Sequence, residues 1–255
     1  MPRVEKIVPV WGTEIFIDAS SEKLDATEID RVIAGVEAFL FDVDDELSTF
    51  KENSSVSRIR SGKLKIEDAP EMVQEVWRGC ALAKELTFGA FDPWALEGGF
   101  DPSGYVKGWA AQKAAEMLIL AGCNSVQVNA AGDIALRGGF EGSPWKIGVV
   151  NPENKSEILQ VFEITDGNIA TSGHYEKGAH IKDPHTGVIA IGAKSGTVIG
   201  PDGGICDALA TALMVDGTDA AQWIGNQDLT EYTFWAINRH EKSAWSHGPN
   251  LGLAN

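Results

Sequence analysis

Apolar positions along the chain switch between two periods, and the switches mark its elements. From Asp25 onward Ile29, Val32, Ile33, Val36, Phe39, Leu40, Val43 and Leu47 recur at helical spacing, which predicts an amphipathic helix with one buried face. Asp25 or Thr27 can cap its start by accepting from free backbone N–H groups. Before it, "KIVPVWGTEIFIDA" (6–19) gathers β-branched and aromatic residues around Gly12, which predicts two short strand segments with a bend between them. After it, the serine-rich "STFKENSSVSRIRSGK" (48–63) has no period, so a surface loop with a single turn at Val56–Ile59 is expected.

A second helix is predicted from about Ala69 to Leu86, with Asp68 as cap and Pro70 in the first turn, until "TFGAFDPW" breaks it. A third covers Val106 to Leu120. The segments "SVQVN", "IALRG", "PWKIGVV" and "ILQVFEI" follow as short strands, a series that favours antiparallel pairing. The run "ICDALATALMV" (205–215) reads as a buried helix; another helix lies near Asp219–Ile224, and "YTFWAI" reads as a further strand.

No repeat, linker or low-complexity tract divides these elements. At 255 residues the chain is long enough for one full core, so a single α+β domain over 1–248 is expected, with 249–255 as a frayed tail. A hydrophobic share of 44% with 23% charged residues excludes disorder as the main state. The 28 glycines, many clustered between periodic segments, suggest loops whose backbone approaches a ligand closely. A net charge of −16 without clustered Lys and Arg argues against nucleic-acid binding; phosphates can still be bound locally by a metal, backbone N–H groups or a few placed lysines. Cys80, Cys123 and Cys206 lack C-x-x-C spacing and read as reduced, buried thiols. No run reaches the roughly 18 apolar residues of a membrane span, and no apolar leader opens the chain, so a cytoplasmic protein with no membrane partner is expected.

Four stretches carry candidate chemistry. Asp207 and Thr211 interrupt the small apolar run one helical turn apart, so a carboxylate and a hydroxyl share a face and can meet one small hard cation. Alternatively, Asp207 caps the helix and Thr211 bonds back to the carbonyl of residue 207. In "FDPSGYVKGWAAQKAAEML" (100–118) Asp101 precedes a turn and Lys107 opens a helix. That arrangement offers N–H groups and a cation to a phosphate, or simply a cap and a solvated lysine. In "VQVNAAGDIALRG" (126–138) a sharp turn at Gly132 puts Asn129 and Asp133 at a strand end, for function or for turn chemistry alone. In "IATSGHYEKGAHIKDPHTG" (169–187) Ser172, His174, His180, Asp183 and His185 fall close together. The histidine spacings of six and five match no zinc motif, and a proton-transfer or phosphate-contacting role for one of them fits better. "GPDGG" (200–204) resembles a phosphate loop only superficially.

Taken in order, "WGTEIFI", "ELSTFKENSSVSRIR", "GAFDPW", "DPSGYVKGWAAQKAAEML", "VNAAGDI", "ATSGHYE", "HIKDPHTG" and "CDALATALMV" resemble the motif series of the ApbE family of FAD:protein FMN transferases over nearly the whole chain. The resemblance implies a single compact domain of that kind, a mixed β-sheet flanked by helices with an FAD cleft. It implies Mg²⁺ held by Asp207, Thr211 and the backbone carbonyl of Gly104. It further implies FAD held by Asp101, Lys107 and the turn Ala90-Phe91-Asp92, with Thr13, Phe50 and Ile181 along its walls. The implied reaction splits FAD, transfers FMN to a Thr or Ser hydroxyl of an acceptor flavoprotein and releases AMP. His180 is then the base, with Asp183 as its orienter or alternate. Departures from the family pattern are Trp11 for Met, Ala131 for Gly, His174 for Asp or Asn, and Pro102. Mg²⁺-dependent hydrolysis of FAD to FMN and AMP, or FAD binding without chemistry, would use the same residues.

Overall fold

Two tight hairpins open the main sheet in the computed structural model, which describes residues 1–95, 97–173, 181–239 and 243–249. Strand β1 (Arg3–Val10) pairs antiparallel with β2 (Thr13–Ser20), from Arg3 opposite Ser20 to Val10 opposite Thr13. Only Trp11 and Gly12 form the loop, at φ of 59° and 68°, the geometry of a primed turn whose twist matches that of its strands. Trp11 also donates its indole N–H to the carbonyl of Leu40 at 3.3 Å. Strands β3 (Ser125–Ala130) and β4 (Asp133–Arg137) repeat the device, with Ala131 and Gly132 at 54° and 98°. Because β2 pairs antiparallel with β3, both turns lie at one end of the sheet.

Asn129 closes the second turn, its side-chain oxygen accepting from the Gly132 N–H at 2.9 Å. Ala131 there sits in the left-handed region, which disfavours a Cβ by about 1–2 kcal/mol, while glycine loses about 0.5–1 kcal/mol more chain entropy on folding. Ala131→Gly is therefore expected to stabilise the protein by about 0.5–1 kcal/mol and to raise its melting temperature by about 1–4 °C in thermal denaturation. A lower melting temperature would assign the methyl group a packing role.

The sheet runs β1-β2-β3-β4-β7-β8-β9-β10, adding β7 (Gly167–Gly173), β8 (Ala193–Gly200), β9 (Thr233–Asn238) and β10 (Ala244–His247). Every strand pairing among the described residues is antiparallel, which narrows the expected mixed sheet. The helical connections explain this. Between β2 and β3, and again between β8 and β9, the chain returns to the end of the sheet it left, so the next strand runs the opposite way.

Helix α1 (Ala26–Leu47) follows the predicted stripe, burying Ile29, Ile33, Val36, Leu40, Val43 and Leu47. Asp25 and Glu28 cap it reciprocally, each side chain accepting from the other's backbone N–H at 2.9 Å. The serine-rich loop holds more than a turn: α2 (Ser55–Arg60) is capped by Ser54, whose hydroxyl accepts from the Ser57 N–H. Helix α3 (Glu71–Leu86) starts at Pro70, and Asp68 does not cap it, because Ile66–Asp68 forms its own single 3-10 turn. Helices α4 (Val106–Leu120) and α5 (Gly203–Asp216) pack under the sheet; a 3-10 turn at Gly217–Ala220 then leads into the short α6 (Ala221–Ile224).

A second, two-stranded sheet of β5 (Trp145–Asn151) and β6 (Asn154–Ile164) covers the other face. Its Trp145, Val149, Phe162 and Ile164 pack on Ile134, Leu136, Ile169, Ile199, Trp235 and Ile237. The result is three layers with a core on each side of the main sheet. The expected reduced thiols are there, three free and buried cysteines. No helix among the described residues is long and apolar enough to cross a membrane.

Candidate active site

Helix α5 is apolar nearly all round, and its one internal acid is 2% exposed. Asp207 is not the cap. That role belongs to Asp202, whose carboxylate accepts from the Ile205 N–H at 2.8 Å, and this settles "GPDGG" as a helix start. Asp207 instead points at the first turn of α4, where its Oδ2 accepts from Lys107 Nζ at 3.1 Å and from the Gly108 N–H at 3.4 Å. Lys107 Nζ also bonds Oδ2 of Asp133, the first residue of β4, itself 3% exposed. Burial alone would lower the lysine's pKa, but the two carboxylates overcome it and hold Lys107 above the usual lysine range.

Helices α4 and α5 can meet here because both present glycine. A Cβ on Gly108 would stand 2.0 Å from the carbonyl oxygen of Gly203, and one on Gly203 would stand 2.4 Å from the carbonyl oxygen of Gly108. Gln112 braces the contact, its Oε1 accepting from the Gly203 N–H at 2.6 Å.

One turn beyond Asp207, the Thr211 hydroxyl lies 3.3 Å from the hydroxyl of Ser172 near the end of β7. Among the described residues' hydrogen bonds, none runs from Thr211 Oγ1 back to the carbonyl of residue 207. Gly104, in the turn before α4, faces the same hydroxyl: a Cβ there would be 3.1 Å from Thr211 Oγ1 and 3.1 Å from the Phe91 ring. Asp101 shapes that turn by accepting from the Ser103 N–H at 3.0 Å and the Ser103 hydroxyl at 2.5 Å. Two hydroxyls meet at the glycine turn, one helical turn along α5 from the Asp207 carboxylate, and oxygen donors of this kind suit a hard divalent cation.

The turn Ala90-Phe91-Asp92 follows α3. Phe91 donates its N–H to Thr87 Oγ1 at 3.1 Å, and Asp92 pairs with Lys84 at 2.7 Å while accepting from the Trp94 N–H. The Asp101 N–H donates to the Pro93 carbonyl at 2.8 Å, tying this turn to the one before α4. Thr13 lies half-buried at the turn end of β2, and Ile181 is half-buried, accepting from the Ala190 N–H. Phe50 is 95% exposed, and the structure does not pack it onto the cluster.

Both Asp183 oxygens serve its own turn, accepting from the His185 N–H and the Thr186 hydroxyl, each at 2.8 Å. Burial would raise this carboxyl, but those bonds more than offset it and hold Asp183 below the usual range, which makes it a weak base. His174 and His180 lie outside the described residues. The zinc alternative depends on them; among the described residues no group of three or more His, Cys, Asp or Glu side chains is placed to hold a metal.

Asp133 and Ser172 join the cluster although their motifs read equally well as turn and strand. The signal was the strand end: Asn129 is spent on the turn, and Asp133, just past it, faces the helices. Alternation along β4 and β7 sends their neighbours Ile134 and Thr171 to the opposite face. There a cavity of about 380 Å³ opens between the sheet and the β5–β6 hairpin, lined by Asn129, Gly132, Ile134, Thr171 and Lys155 among others. The sheet separates that cavity from the Asp207 cluster.

Residues 96–234 match the model of the ApbE family. The chain is 28% identical over 199 residues to the FAD:protein FMN transferase of Rhodobacter capsulatus, a stretch covering 74% of this chain and 35% of that protein. It is 34% identical over 130 residues to the protein of the same name from Vibrio cholerae, covering 47% and 39%. These alignments therefore span little more than a third of the length of the relatives. Among solved structures, the flavin transferase ApbE from Vibrio cholerae superposes with a TM-score of 0.82 at 22% identity, over 96% of each chain. The ApbE protein from Thermotoga maritima gives 0.78 at 25% identity, over 92% of this chain and 94% of that one.

Proposed function

Because the chain belongs to the ApbE family, we propose that it is a Mg²⁺-dependent FAD:protein FMN transferase. The observation that carries this reading is the pairing of Asp207 and Thr211 one turn apart, beside Gly104 and Ser172, within the matched stretch. Asp207, Thr211 and the carbonyl of Gly104 would hold Mg²⁺, which when bound neutralises the diphosphate and the charge that gathers on departing AMP. Asp101, Lys107 and the turn Ala90-Phe91-Asp92 would flank FAD, with Thr13, Phe50 and Ile181 at its edges.

In the step itself a Thr or Ser hydroxyl of the acceptor flavoprotein attacks the phosphorus of the FMN half. A P–O bond to that oxygen forms, the bond from the same phosphorus to the bridging oxygen breaks, and AMP leaves with the bridging oxygen. The hydroxyl's proton passes to a base, for which we assign His180 on the resemblance alone. Asp183 would be its orienter or alternate, again on the resemblance; both its oxygens already accept within its own turn.

Incubation with FAD, MgCl₂ and a candidate acceptor flavoprotein domain is expected to give acceptor bands that fluoresce in denaturing gels together with one AMP per band-bound flavin, both abolished by EDTA. Free FMN and AMP without labelled protein would replace this reading by FAD hydrolysis. FAD retained with no AMP would leave a binding protein.

A further inference from the structure

Lys107 is shared between two acids. Its ammonium bonds Asp133 and also meets Asp207 at 3.1 Å. Three separate elements bring these charges together: α4 supplies the cation, β4 and α5 the carboxylates. Both acids are almost wholly buried, so water does little to weaken the competition between them for the one lysine.

We propose that Asp133 is a positioning residue, which draws Lys107 away from Asp207 and so keeps the Asp207 carboxylate available to a divalent cation. With both acids present one ammonium is divided between two carboxylates, so Asp207 is not closed into a complete pair. With Asp133 neutral, the buried ammonium has Asp207 as its only charged partner in the trio and closes on it. A divalent ion would then have to break a complete buried ion pair. Asp133 touches neither the metal nor the flavin in this scheme; it acts through Lys107. The proposal rests on Asp207 being a metal ligand, as read above.

The test uses Mn²⁺ as probe, its free concentration followed by EPR in titrations of the full chain without flavin, so that the role assigned to Lys107 toward FAD does not enter, beside the circular dichroism and melting temperature of each variant. Asp133→Asn is isosteric and is expected to weaken Mn²⁺ binding tenfold or more while the protein stays folded. In the double variant Asp133→Asn/Lys107→Met the competitor is gone, and Mn²⁺ affinity is expected to return to within about threefold of the wild type. A merely structural role for Asp133 would not be rescued by removing Lys107.

Unchanged affinity in Asp133→Asn, or a double variant as weak as the single one, overturns the proposal. So does a single variant that loses its folded spectrum, since Asp133 is then a structural residue. A wild-type chain that binds no Mn²⁺ under these conditions instead removes the metal site itself, a failure of the earlier reading that is visible before any variant is made.

Discussion

Asp207→Ala is expected to lower Mg²⁺-dependent turnover of FAD by about 10³-fold while leaving the far-UV circular dichroism unchanged. The size follows from losing the only charged member of the assigned Mg²⁺ ligands, in a site where water screens little; single preorganised electrostatic groups in such sites are worth about 10²–10³ in rate. The survival of the fold follows from the lysine. Removing one partner of a buried ion pair destabilises by about 3–5 kcal/mol when the other is left alone, but Lys107 keeps its second partner Asp133. A loss nearer 1–3 kcal/mol, that of a charged hydrogen bond, is expected instead.

Assays at pH 7–9 keep this comparison clean. The folded pKa of Lys107 is raised, so its pairing stabilises fully below the ordinary lysine pKa of about 10.4 and is lost only as pH climbs through the higher folded value. The wild-type lysine therefore keeps its charge across the assay window. Turnover within about threefold of the wild type would remove Asp207 from the mechanism; a collapsed dichroism spectrum would show that the acid is needed for folding.

How far the sequence discloses this site depends on the range of the interaction. Helix α1 is legible almost residue by residue, since a half-exposed helix writes its period into the chain and Asp25 and Glu28 lie within one turn of each other. The oddity of Asp207 is legible too, because an acid in an apolar helix asks for a partner. Strands β7 and β8 are not: "GNIATSG" and "AKSGTVIG" are rich in small residues, and β8 in particular is buried on both faces, so neither carries an alternating pattern. Nor is the partner of Asp207 legible. Lys107 reads as a phosphate-facing lysine when only its own turn is considered, and its bonds reach 26 positions to Asp133 and 100 to Asp207. Such a contact exists only once two helices and a strand have packed, and local spacing holds no trace of it.

That packing is the basis of the second large effect. Gly108→Ala is expected to destabilise the protein by about 3 kcal/mol, the upper end of the usual range for overpacking, and to lower its melting temperature by about 6–12 °C. The added methyl would stand 2.0 Å from the Gly203 carbonyl oxygen. This obstacle is backbone within a helix, so no rotamer change relieves it and α4 and α5 must part. Gly225→Ala is the control, since open space surrounds that position and its φ is −74°; a change within about 0.5 kcal/mol is expected there. Parting the helices also moves Asp207 and Thr211 on α5 away from the Gly104 turn before α4, and the new methyl would stand 3.1 Å from Asp207 Cβ, so Gly108→Ala should weaken Mn²⁺ binding although it removes no assigned ligand. Gly203→Ala would clash with the Gly108 carbonyl across the same gap. The double variant should therefore cost clearly less than its two parts added, because the first methyl has already opened the space the second one needs. Strict additivity, or a melting temperature in Gly108→Ala equal to that of the control, would mean that the two helices do not depend on this contact to bring Lys107 and Asp207 together.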